Sequence, residues 1–418
     1  MQRYSNAKGK EKNMNVTERF LKYVSCNTQS NSRSHQTPST PGQLTLAASL
    51  VEELKRMGIE DAHQDQYGCV YGHIAPSKGC TRPGLALIAH MDTAMDMSGA
   101  NVRPRIVKDY DGGPIILNQE KSIVTRPSDF PSLLAHIGQD LIVTDGTTLL
   151  GADDKAGIAE IMTLADFLMS NPDFPHPPVS ILFTPDEEIG RGSDHVDLKK
   201  LDAAYGYTVD GGLLGELSYE NFNAAAAQVT FHGITAHPGY AKGVMKSAML
   251  IAMEFHSLLP VYQTPACTQD REGFFHLDHM EGTTETAVLK YLIRDHDHSL
   301  FLERHQLMQE CVQFLNRKYG PETVEITFTE NYQNMYEKVK DHPELIDCAI
   351  QAMEQAAISP MITPIRGGTD GARLSFAGLP CPNLCTGGQN GHGRHEYVSC
   401  QAMEKVTELL KNLVRLFA

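Results

Sequence analysis

Leu85–Thr93 reads LALIAHMDT, an apolar run of strand length that ends on a histidine and, two residues later, an aspartate. A strand without a polar face is buried on both sides. In a chain that alternates strands with helices, that means a mostly parallel sheet covered by helices on both faces. Ligands of such sheets collect beyond the carboxyl ends of the strands, which is where His90 and Asp92 fall.

Outward from this strand the pattern repeats. GCVYGHI (68–74), DLIVTD (140–145), VSILFT (179–184) and AYGYTVD (204–210) read as further strands, and KAGIAEIMTLADFLM (155–169) as a helix. Val16, Phe20 and Val24 lie at helical spacing. A second helix starts at Thr40 and Pro41, a capping residue and a first-turn proline, and is closed by Gly58. The polar loop between these helices, NTQSNSRSHQTPSTPGQ (27–43), offers no chemistry of its own.

After about Phe222 the character changes. AAAAQVTFHGI, FFHLDHM, ETAVLKYLIRD and TVEITFTEN read as strands, with helices in GVMKSAMLIAMEFHSLL and SLFLERHQLMQECVQFLNRKY. The order βαββαβ predicts a ferredoxin-like sandwich over 222–334, inserted into a larger α/β domain made of 1–221 and 335–418. In the returning part, HPELIDCAIQAMEQA is helical, RGGTDGARLSFAGLP (366–380) is a glycine-rich turn region, and an amphipathic helix closes the chain.

Composition narrows the function. The 418 residues, 41% of them hydrophobic, suffice for two or three domains with real cores. A net charge of −15, with 36 Lys+Arg against 51 Asp+Glu and no basic tract, argues against nucleic acid as a partner. No apolar run approaches the roughly 20 residues that span a bilayer. The opening MQRYSNAKGKEKNMN is basic but precedes no apolar segment, so it reads as a frayed extension rather than a signal peptide or membrane anchor. Nine scattered cysteines suit free thiols in a reducing compartment, the cytoplasm.

Polar groups gather at four strand ends: His90 and Asp92; Asp153 and Asp154 in LLGADDKAG; Asp186, Glu187 and Glu188 after ILFTP; and Asp210. His392 and His395 follow in GGQNGHGRHEYV. Singly they could be a helix cap, a hydrogen-bonded boundary histidine or a solvated acidic turn. Jointly, so many carboxylates would repel one another unless a cation intervened. Histidines with carboxylates suit two divalent ions, zinc above all, that activate a water and polarise a carbonyl. Neighbours in an extended segment point to opposite sides, so one glutamate of the acidic turn can bind metal while the other stays available as a base. An aspartate behind a ligating imidazole fixes its tautomer.

Seven ordered blocks, HMDTAMDMSGANVRP, LLGADDKAGIAEIM, FTPDEEIGRG, YTVDGG, ITAHPGYAKGVM, PIRGGTDGARLSFAGLPCPNL and HGRHEYV, resemble the peptidase T family of tripeptide aminopeptidases. That family is part of the dinuclear zinc exopeptidases, with carboxypeptidase G and succinyl-diaminopimelate desuccinylase. The resemblance implies release of the N-terminal residue from tripeptides by a water that bridges two metals, zinc or else cobalt or manganese. It implies His90, Asp153 and Asp210 for one ion and Asp153, Glu188 and His392 for the other, with Asp153 bridging and a cis Asp153–Asp154 peptide. Glu187 would be general base and then acid, and Asp92 would orient His90. The resemblance implies His392 as the ligand of the late pair, because it precedes Glu396 by four residues, as in the family's His-x-x-x-Glu pattern. From the inserted lid, His237 would donate to the developing oxyanion. Arg294 in the lid and Arg366 in the catalytic domain would hold the peptide carboxylate. Short peptides are the implied substrates, and a homodimer through the lid is compatible with the resemblance.

Two rivals stand beside this reading. A carboxypeptidase or N-acyl amino acid deacylase of the same superfamily would use the same metals on other substrates. A non-catalytic zinc module built on Cys381, Cys385, His392 and His395 fails on spacing. Six residues separate Cys385 from His392, where a finger needs roughly 12.

Overall fold

Every residue of the strand Leu85–His90 is buried, because it lies inside an eight-stranded sheet. Val179–Thr184 and Tyr205–Gly211 flank it, both parallel to it, and Asn383–Cys385 continues the sheet beside Tyr205–Gly211. Beyond Val179–Thr184 come Val70–Ile74 and then His63–Gln64, each antiparallel to the strand before it. A computed structural model describes residues 14–418; residues 1–13 of the basic opening read above as a frayed extension lie outside the described residues.

The helix Ala152–Ser170 lies close against this sheet. Gly157 is what permits the approach, since a Cβ there would sit 1.9 Å from the Val209 carbonyl oxygen. The helix N-terminus is thereby held beside the carboxyl end of Tyr205–Gly211, which sets Asp153 near Asp210.

Contacts divide the chain into two units, Met1–Leu217 with His342–Ile362 and Leu379–Ala418, and Ser218–Asp341 with Thr363–Gly378. The second unit carries a four-stranded antiparallel sheet in the order Phe274–Gly282, Thr286–Asp295, Asn223–His232, Val324–Tyr332. The chain order 2-3-1-4 is that of a ferredoxin-like βαββαβ sheet. Helices Ala248–Leu258 and His298–Tyr319 cover it over a core that includes Phe231, Phe255, Tyr291 and Leu315.

Three features depart from the sequence reading. Leu141–Val143, from DLIVTD, is not in the main sheet; it pairs antiparallel with Arg105–Val107 and Tyr397–Ser399 in a separate small sheet. The segment 366–380 is not only turn, because Thr369 caps a helix Asp370–Ala377 that ends at left-handed Gly378. That segment as far as Gly378 groups with the second unit, and Arg366 with it. Among the described residues, no helix is long and apolar enough to cross a membrane, and none of the nine cysteines is in a disulfide.

Candidate metal centre

His90 leaves its strand fully buried, and the chain spends its two ring nitrogens on different jobs. Nδ1 is 3.1 Å from the backbone carbonyl of Asp92 and 3.4 Å from its Oδ1. A proton on Nδ1 leaves Nε2 to face Asp153 Oδ1 at 2.9 Å and Asp210 Oδ1 at 3.4 Å. The other carboxylate oxygen of Asp153 lies 3.3 Å from His392 Nε2, which is also 3.1 Å from Glu188 Oε2. Asp153 thus stands between two imidazoles, each with a further carboxylate beside it. The peptide joining Asp153 to Asp154 is cis.

Asp92 reaches beyond His90. Its oxygens accept the backbone N–H groups of Glu187 and Glu188 at 3.0 and 3.1 Å, and the Ser30 hydroxyl donates to it as well. One buried carboxylate therefore fixes the histidine and the turn that carries both glutamates. Asp186, left-handed at φ 58, ties that turn to the N-terminal segment by accepting from the Ser39 N–H at 2.7 Å and from Gln43 Nε2 at 2.7 Å. The loop 27–43, silent in the sequence, is thus part of the scaffold.

Glu396 plays the corresponding part for Asp153. It is buried, and it accepts the N–H groups of Leu150 and Gly151 at 2.6 and 2.8 Å and that of Asp153 at 3.1 Å. In the sequence it served only as a spacing mark for His392. Asp96, which no sequence signal singled out, places Oδ2 3.4 Å from His392 Nδ1.

Charge is crowded here. Burial alone would lower the pKa of His90, but Asp210, Asp153 and Asp92 outweigh it and hold the imidazole well above its ordinary value. His392 is pushed up to about 11 by hydrogen bonds to Asp153 and Glu188. Burial raises Asp154, Asp210 and Glu188, whereas for Asp153 the two histidines overcome it and the carboxyl is lowered. Burial also raises Glu396, to about 7, against its backbone donors.

The donor set fits divalent ions. His90 with Asp154 and Asp210, and His90 with Asp153 and Glu188, each bring candidate ligand atoms within 4.8 Å of one another. Among the described residues, Oε1 of Glu188 and Oδ1 of Asp154 are buried without a hydrogen-bond partner, a costly state for oxygens that no cation serves. Imidazole nitrogens mixed with carboxylate oxygens suit zinc and its neighbours.

The remaining expected residues belong to the second unit. His237 is exposed in the second unit and accepts the Gly239 N–H. Arg294 donates to the carbonyls of Ala225 and Ile293 and lies over the Tyr332 ring. Arg366 donates to the carbonyls of Asp270 and Glu272 and to Thr268, and it stacks on Phe222 and Phe274. The zinc-finger rival does not assemble. His395 bonds Thr125 and packs on Phe130, Cys385 accepts the Gly215 N–H, and no candidate metal group among the described residues includes a cysteine.

Comparison with known proteins follows the same line. Residues 147–416 match the model of peptidase family M20/M25/M40. Over 403 residues the chain is 49% identical to peptidase T of Halothermothrix orenii, covering 96% of this chain and 99% of that one. Among solved structures it is similar to the aminopeptidase PepT of Bacillus cereus, with a TM-score of 0.76 at 20% identity over 96% and 98% of the two chains. A tripeptidase of Staphylococcus aureus matches with a TM-score of 0.75 at 20% identity over 96% and 97%.

Proposed function

The chain belongs to peptidase family M20/M25/M40 and, within it, to the peptidase T group, and on that premise we propose that it is a cytoplasmic aminopeptidase that releases the N-terminal residue from tripeptides with the help of two zinc ions. The observation that carries this reading is Asp153, whose two carboxylate oxygens face one imidazole each. A carboxylate so placed suits a bridge between two ions, one held with His90 and Asp210, the other with Glu188 and His392. When bound, such ions lower the pKa of a water toward neutrality and polarise the scissile carbonyl.

The chain's own residues do the rest. Glu187 takes the proton of the attacking water and later delivers it to the departing amine. Its position follows from Asp92, which holds the backbone N–H of Glu187 and of Glu188 alike. Base and candidate ligand therefore project from one fixed turn. His237 would donate to the developing oxyanion, and Arg294 and Arg366 would hold the carboxylate of a short peptide.

A role in peptide breakdown in a reducing compartment agrees with nine cysteines none of which forms a disulfide among the described residues. A homodimer through the second unit would cover Leu250, Met253, Val261 and Tyr262, all exposed.

The decisive assay sets metal-loaded protein and a Glu187→Ala variant against di-, tri- and tetrapeptides with free or blocked amino termini. The expected result is cleavage of unblocked tripeptides by the parent, and a variant that keeps its metal but loses activity by at least about 100-fold. Full activity in Glu187→Ala would remove the base from the mechanism, and preference for blocked substrates would make the protein a deacylase.

A further inference from the structure

An aminopeptidase must recognise a free amino terminus, and none of the residues assigned so far does so. Beside the candidate metal centre is a cavity of about 310 Å³. Asp153, Asp154 and Asp210 line it, so it is continuous with the centre; Glu216 and the segment 386–391 contribute further lining. Its volume is at the lower end for ligand pockets, which suits one amino-acid residue better than a whole peptide. Among the described residues no Lys, Arg or His lines it, so the space is matched to a cation.

Glu216 differs from the other carboxylates in the lining. Asp153 and Asp210 face His90, Asp154 is buried, accepts the His90 N–H and stands among the candidate metal donors, and Glu396 is spent on backbone N–H groups. Glu216 uses a single oxygen, Oε2, to accept the N–H groups of Gly212 and Leu213, both at 3.1 Å. These bonds lock the side chain onto the turn that follows Asp210. Oε1 has no partner among the described residues and remains available to a ligand. Gly212 leaves room for the bound oxygen, since a Cβ there would crowd Glu216 Oε2 at 3.1 Å. A carboxylate fixed in advance binds an ammonium group without first having to be ordered.

We propose that Glu216 anchors the α-ammonium group of the substrate and that this cavity receives the N-terminal residue. The inference rests on the aminopeptidase reading above and gives it a specificity determinant. In an unblocked peptide the ammonium is one carbon away from the scissile carbonyl. A carbonyl seated at the metal donors therefore carries its ammonium into the adjoining space. Blocking the amine removes the charge and adds bulk to a cavity of one-residue size, so acylated peptides are rejected twice over.

The test uses metal-loaded enzyme, a tripeptide with neutral side chains, and the same tripeptide with its α-amino group replaced by hydrogen. Neutral side chains ensure that only the α-ammonium is probed. Glu216→Gln keeps an oxygen for Gly212 and Leu213 but loses the charge. It is expected to lower kcat/KM for the amino substrate by about 10–100-fold, mainly through KM, as a charge-assisted hydrogen bond commands. Cleavage of the des-amino substrate should stay within about twofold, while Glu216→Asp, which retains the charge, should keep most of the preference for the amine. Equal losses on both substrates, or no loss on either, would overturn the anchor and leave the aminopeptidase reading intact. Failure of the parent enzyme to cleave the unblocked tripeptide would overturn that reading, and the anchor with it.

Discussion

The two imidazoles of the candidate centre face the same aspartate from very different surroundings. His90 ends a buried strand and is 2% exposed, and the Asp92 behind it is 0% exposed. His392 sits in a loop at φ 63 and is 46% exposed, and the Asp96 behind it is 69% exposed. One arm is part of the sheet's core, whereas the other is held chiefly by what it binds. In a buried arm each hydrogen bond acts in a low dielectric and a lost partner leaves an unpaired group; in an exposed arm water replaces what is removed. The buried arm therefore sets the geometry of the site, and the exposed arm can adjust to ions and substrate.

The most severe way to break the contrast is Asp92→Ala. It removes the carboxylate that serves His90, Ser30 and the N–H groups of both Glu187 and Glu188. Activity should fall by about 100-fold or more, beyond the 10–100-fold usual for a carboxylate behind a metal-bound histidine, because Glu187, the proposed base, is displaced as well. Steady-state kinetics on metal-saturated protein measures this. A loss that excess metal fully restores would mean that Asp92 serves the histidine alone.

Asp96→Ala applies the same operation to the exposed arm and should cost less, about 10-fold in the affinity of one of the two ions. Competition with a chelator, followed by the metal released, should show one ion leaving earlier than in the parent and the second unchanged. With metal in excess, activity should return to within about twofold. Equal weakening of both ions would show that the two arms are not independent.

The same contrast explains what was legible in the sequence. LALIAHMDT announced its strand and its histidine because a continuous apolar run can only be buried, and the βαββαβ insertion was legible because its strands and helices differ in period and length. The small sheet that pairs Leu141–Val143 with Arg105–Val107 and Tyr397–Ser399 was hidden, since strands of three residues carry no period and their partners are remote in the chain. The helix Asp370–Ala377 was masked by Gly367, Gly368, Gly371 and Gly378. Asp96 could not be matched to His392, nor Ser30 to Asp92, because neither pair shares a local pattern. Asp92 could be matched to His90 because only one residue separates them.

The smallest expected effect on the site comes from a group as buried as His90 but with no donor role. Glu160 lies further along the helix that carries Asp153, is 0% exposed, and has no partner among the described residues for either carboxylate oxygen. Burial pushes its carboxyl well above the ordinary 4.5. Cys385, whose charge would act on it, is itself pushed up to about 12 by burial and stays neutral. In the unfolded chain Glu160 releases its proton near 4.5, while the folded chain keeps it to higher pH. Between those two values the unfolded state binds fewer protons, so stability is greatest below 4.5 and falls as pH rises toward the folded value. Glu160→Met should remove this slope and raise stability near pH 8 by about 1–3 kcal/mol, the usual penalty for a buried unpaired polar group. Metal content and kcat/KM should not change. Urea unfolding at pH 5 and pH 8 reads the slope, and an undiminished slope in the variant would place the pH dependence elsewhere. Loss of metal in Glu160→Met would instead show that the buried arm extends below Asp153, and that burial there serves the site as well as the fold.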